Sequence, residues 1–133
     1  MPGLLINATR HPSSVLRRCA PLAAINGMAG FAVAATPLEG SDLIDTLHGV
    51  SATVGYGTVA GIPLLAVGPL RSLGQDRLAM VSVAVGVTSA FCLVATLFVD
   101  ANGFFQRFGL GVVDVWLIVL GVEMYRCSRP PRA

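Results

Sequence analysis

Four apolar runs separated by short polar turns constrain this chain more than any single motif. They fall at about residues 19–36, 47–70, 78–99 and 104–125, each close to the ~17–25 residues that an α-helix needs to cross a bilayer core. A backbone placed in lipid must satisfy its own polar groups, and an α-helix does so internally. The pattern predicts an all-α integral membrane protein, a four-helix transmembrane bundle. Charge supports this. Only 12% of the 133 residues are charged, about half the ~25% usual in soluble domains. Nine basic and seven acidic side chains are too few to coat a water-soluble domain of this length.

The basic residues set the expected orientation. Residues 1–18, 71–77 and 126–133 together hold eight arginines, whereas residues 37–46 and 100–107 hold only Arg107. The excess of positive charge on cytoplasmic loops predicts N-in/C-in topology: a multi-pass protein of the cell membrane with both termini cytoplasmic. The chain then divides into a cytoplasmic basic arm (1–18), a transmembrane domain (19–125) and a cytoplasmic tail (126–133). The arm is broken by Pro12, with room for a surface helix from Ser13. No uninterrupted basic run suggests a nucleic-acid partner. Leu4–Ile6 is too short to serve as the apolar core of a cleavable signal. Cys19, Cys92 and Cys127 are odd in number and lack metal-ligand spacing, which argues against a disulfide framework or a structural zinc. Cys92 is expected to be buried in the third span.

Small residues define how the helices are expected to pack. The first span has a small side (Ala20, Ala23, Ala24, Gly27, Gly30, Ala34) and one amide, Asn26, and Pro37 ends it, because the residue before proline avoids the helical region. Ser41 suits a helix N-cap, with Asp42 and Asp45 in the first turn, where the helix dipole favours negative charge. In the second span Gly49, Thr53, Gly57 and Gly61 recur every four residues, a ridge of the kind that lets membrane helices approach closely. Pro63 is expected to kink that helix. Ser82, Gly86 and Ala90 form a second ridge on the third span. Gly57, Gly61, Ser82, Gly86 and Ala90 are therefore the expected packing residues, with self-association as an alternative use of one ridge. Asn102–Gly103 reads as the signal of the second outer turn. Trp116 falls away from an interface and Tyr125 at one.

The stretches ATPLEGSDLIDTLHGVSATVGYGTVAGIPLLAV (residues 35–67) and GFFQRFGLGVVDVWLIVLG (residues 103–121) resemble the bacterial and archaeal membrane family catalogued as domain of unknown function 998. The matching positions are Pro37, Asp42 or Asp45, His48, Gly103, Gln106, Arg107 and Trp116. The resemblance implies a helical membrane protein and no defined activity. Members have about six helices, so it also implies that a leading pair is missing here.

Two polar constellations stand out. Asp42, Asp45 and His48 are spaced by three along one face of a helix start, while Asp100, Gln106 and Arg107 come from the other outer turn. Together they suit a cation site, a proton relay or a site for an anionic head group. The alternative is that the acids serve the helix dipole, with His48 and Arg107 paired to them structurally. His and Asp can ligate zinc, but no fourth ligand is apparent, so no metal and no cofactor is expected.

Asp114 is the second feature. It lies seven residues past Arg107, about 10 Å deeper along a helix, where a carboxylate costs ~2.5–3.5 kcal/mol on insertion scales. It is expected to face the bundle, meeting Arg107, Asn26, Thr53, Thr58 or Thr88. Glu123 is expected to pair locally with Arg126.

Three functions follow from this reading. The first is a structural or accessory protein without a catalytic centre, acting through association with the lipid bilayer, with itself as a homo-oligomer, or with another membrane protein. The second is an oligomeric transporter or ion-coupled channel using Asp114 and the outer cluster. The third is an outer-leaflet lipid-modifying enzyme using Asp45, His48 and Arg107.

Overall fold

The computed structural model describes residues 13–38, 41–99 and 102–128, and these form four α-helices: α1 (Ser13–Ala35), α2 (Asp42–Ser72), α3 (Asp76–Ala95) and α4 (Asn102–Ser128). Each is long and apolar enough to cross a membrane. Most large apolar side chains on their outer faces are exposed, among them Phe31, Leu43, Met80, Phe91, Val115 and Ile118. A protein bathed in water rarely leaves so continuous an apolar surface uncovered.

The helices exceed or shift from the apolar runs at every end. α1 begins at Ser13 rather than at Cys19 and passes through Pro21, so the last part of the expected arm is helix. Val15 is buried against the bundle, and that contact draws the segment into α1. Proline has no N–H, so the Arg17 carbonyl lacks its usual intrahelical partner without the helix ending there. α2 starts at Asp42 instead of Leu47, on the Ser41 cap expected from the sequence: the Ser41 Oγ accepts from the Ile44 N–H at 3.4 Å. It continues unbroken past both Pro63 and Pro69. α3 closes at Ala95, where the Thr96 hydroxyl donates to the Leu93 carbonyl at 2.6 Å. α4 begins at Asn102, so that residue opens a helix where a turn was expected.

The α2–α3 turn is built from backbone bonds. The Gly74 N–H donates to the Arg71 carbonyl at 2.9 Å and the Gln75 N–H to the Leu70 carbonyl at 2.9 Å, the two bonds that close a helix around a left-handed residue. Gly74 is that residue, with φ of 75°, a conformation that glycine adopts without steric cost.

Packing is sequential and open. α1 runs along α2, α2 along α3 and α3 along α4, with a minor approach of α2 to α4. Among the described residues the α1 backbone comes near neither α3 nor α4. The main apolar cluster joins Val15 and Cys19 of α1, Ile62, Ala66 and Leu70 of α2, Leu78 and Ala79 of α3, and Val113 and Trp116 of α4. It lies towards the end that carries the α2–α3 turn. No described residue of α2 before Thr58 is buried.

Small residues set the helix separations, though not all those expected to. A Cβ on Gly86 would lie 2.6 Å from Leu64 Cγ and 3.1 Å from the Ala60 carbonyl oxygen, so α2 and α3 approach at backbone distance there. Gly109, which the ridge reading passed over, does the same for α3 and α4, with Cys92 Cβ at 3.0 Å. A Cβ on Gly61 would lie 2.9 Å from Leu22 Cδ2 of α1. Gly57 meets nothing within 4 Å and is exposed, and Ala90 is half-buried beside it. Those two positions line an open groove between α2 and α3 of about 440 Å3 together with Thr53, Tyr56 and Leu97.

Candidate functional site

The polar residues expected on the outer side are held by local structure. α1 ends where Pro37 forces it to, and the Thr36 hydroxyl turns back to donate to the Ala32 carbonyl at 2.8 Å. The last carbonyls of a helix lack intrahelical partners. One of them is claimed from the neighbouring helix: His48 Nδ1 lies 2.6 Å from the Thr36 carbonyl oxygen. A carbonyl only accepts, so Nδ1 carries the proton and donates, and in the neutral ring the lone pair is on Nε2. His48 thus clasps the end of α1 to α2 across twelve residues of chain. Asp42 and Asp45 are exposed in the first turn of α2, and the Thr46 hydroxyl closes that turn on the Asp42 carbonyl at 2.7 Å.

Gln106 and Arg107 of the expected cluster stand on α4. Gln106 is half-buried and Arg107 exposed. Arg107 borders a groove of about 550 Å3 between α3 and α4, beside Val81, Val85, Phe108 and Trp116. Asp100 lies outside the described residues. Among the described residues no three of His, Cys, Asp and Glu are grouped to hold a metal ion.

Two polar pairs form inside the bundle. The Trp116 indole Nε1–H donates to Ser82 Oγ at 2.8 Å, and Ser82 passes its own proton to the Leu78 carbonyl at 2.7 Å. Both side chains are fully enclosed, so this joins α3 to α4 at the core. Between α1 and α2, Thr58 Oγ1 lies 3.1 Å from Asn26 Oδ1 and 2.9 Å from the Val54 carbonyl oxygen. One hydroxyl proton serves one acceptor at a time. The amide of Asn26, turned end for end, donates to the hydroxyl when that proton goes to Val54. The sequence offers a signal for this pair, since Asn26 is the one amide in the first span and Thr58 a hydroxyl in the next. It gives none for Thr36 as the partner of His48.

Asp114 departs most from expectation. It is exposed on α4 while Val113 and Trp116 on either side are buried, and no described residue bonds to it. Gly109, Val113 and Trp116 turn one face of α4 towards α3, and the residue after Val113 stands about 100° further round the helix. The partners expected for it are engaged or distant: Asn26 and Thr58 hold each other, and Thr53 donates to the Gly49 carbonyl. Glu123 does pair with Arg126, at 2.8 Å on the surface.

No family model matches the chain, and no curated protein or solved structure is found similar to it.

Proposed function

We propose that this chain is a small multi-pass protein of the cell membrane, with both termini cytoplasmic. It works as a structural or accessory component rather than as a catalyst, through association with lipid, with itself or with another membrane protein. The observation that carries this reading is the open bundle. Among the described residues the α1 backbone comes close to α2 alone, and no residue of α2 before Thr58 is fully buried. Helices in lipid associate by close packing and polar contacts rather than by hydrophobic burial. A face left uncovered in one chain is therefore available to a neighbour without a penalty for exposing it to lipid. The distribution of arginine supports the orientation. A transport path using Asp114 would have to run between chains, because Asp114 lies outside this bundle.

Native mass spectrometry of the full chain released from nanodiscs tests this. The expected spectrum shows the chain with a stoichiometric companion: a second copy, a retained lipid or another membrane protein. A bare monomer under every release condition contradicts it.

A further inference from the structure

Asp114 is the one carboxylate in the middle of a span, and the bundle makes no use of it. The apolar stretch of α4 runs from Gly103 to Arg126. Asp114 is eleven residues from one end and twelve from the other, about 17 Å and about 18 Å at 1.5 Å per residue. A bilayer core ≈ 30 Å thick places it at the midplane. Its neighbours on the exposed side are Val115 and Ile118. Gly111, three residues before, and Gly121, seven residues after, have no atom within 4 Å of where a Cβ would stand. Gly121 shares the face of Asp114, so beyond Ile118 this strip offers a gap where another helix can come close.

We propose that this strip docks a transmembrane helix of a different protein, one that carries an arginine or lysine near the middle of its span. The proposal rests on the association reading above and names the occupant. Charge decides it. An intramembrane acid calls for a counter-charge, and no described residue of this chain supplies one at that depth. The described arginines (Arg17, Arg18, Arg71, Arg77, Arg107 and Arg126) all lie at or near helix ends. The nearest along α4, Arg107, is about 10 Å closer to the water and borders the α3–α4 groove. A second copy is a poor source. Symmetry about an axis along the membrane normal preserves depth, so another copy offers Asp114 only groups from its own midplane, the other Asp114 among them.

The test uses the full chain, donor-labelled in phosphatidylcholine vesicles, and two acceptor-labelled Leu/Ala host helices. One host helix has a single central arginine and the other a central leucine. Energy transfer is followed as the peptide-to-lipid ratio rises. The expected result is association about tenfold tighter for the arginine helix, a preference abolished by Asp114→Asn and weakened by Gly121→Leu. Unchanged Trp116 emission in both variants shows that the bundle is intact. Equal association of the two host helices, or a preference that survives Asp114→Asn, overturns the proposal. So does self-association that depends on Asp114 without any preference for arginine, which assigns the strip to a second copy. A companion in the nanodisc spectrum with no arginine preference sinks this inference alone. A bare monomer that also ignores both helices sinks the association reading with it.

Discussion

Replacing Ser82 with alanine isolates the contact that seats α4. In the native protein the Trp116 Nε1–H donates to Ser82 Oγ at 2.8 Å, with Trp116 only 2% exposed and Ser82 fully enclosed. The substitution removes three things: the acceptor, a hydroxyl proton given to Leu78, and little volume. The Leu78 carbonyl keeps its helical partner, but the indole N–H is left buried with no acceptor. A stranded buried donor costs about 1–3 kcal/mol in water-soluble proteins. Polar contacts between membrane helices average nearer ~0.6 kcal/mol, with a maximum of ~1.7, because unfolded helices in lipid find other partners. Alanine returns about 0.5 kcal/mol through helix preference. The expected net loss is about 1 kcal/mol. Trp116 is the single tryptophan, so its emission reports this site alone. Unfolding by rising SDS fraction in mixed micelles should come earlier in Ser82→Ala, and the folded emission should move to shorter wavelength as the indole loses its hydrogen bond. Adding Ser82→Ala to Trp116→Phe should cost almost nothing further, since the donor is already gone. An Ser82→Ala variant that unfolds at the wild-type midpoint with wild-type emission refutes the assignment.

The glycines and the histidine make separate predictions. Gly86→Ala sets a Cβ 2.6 Å from Leu64 Cγ and 3.1 Å from a backbone oxygen, so it should destabilise by about 1–3 kcal/mol in the same SDS titration. Gly57→Ala meets nothing within 4 Å and should be neutral or stabilising by up to about 1 kcal/mol. Equal effects at the two positions would mean that α2 and α3 do not pack as described. His48→Ala leaves the Thr36 carbonyl without its partner. Amide exchange over residues 33–38 should quicken while Trp116 emission stays constant. Loss of the emission signal as well would place His48 in the core instead.

Helix number, the Ser41 cap and the close approach at Gly86 were legible in the sequence because each depends on local chemistry. An apolar run has a length, a cap has a side-chain oxygen, and a glycine has no Cβ. Which way each helix faces was not legible. In water the polar face of a helix declares its outside, but α4 is apolar on nearly every side, so its rotation follows from Gly109, Val113 and Trp116 meeting α3. Asp114 then points outward although its own chemistry argued for the interior. Gly57 failed as a packing residue for a related reason. A ridge packs only where it faces a neighbour: near that depth α1 meets α2 at Gly55, where Ala29 Cβ lies 3.6 Å from the place of a Cβ, while Gly57 faces the open groove between α2 and α3. A helix from Ser13 was legible too, but not that it runs unbroken into the first span, where Val15 anchors it to the bundle. The outer cluster rests on membrane depth, which does not foretell the local partners of its members: His48 is held against Thr36, and Arg107 borders the α3–α4 groove.

The topology on which the functional reading depends is tested most directly by thiol accessibility in intact cells. Cys19 and Cys92, both buried, are replaced by alanine, and two variants are compared. One retains Cys127; the other carries Ser41→Cys with Cys127 replaced. A membrane-impermeant maleimide should label the Ser41→Cys variant and leave Cys127 unmodified until the cells are opened. Labelling of both positions from outside, or of neither, would put the two ends of α2 and α4 in one compartment and contradict an account in which each helix crosses the bilayer.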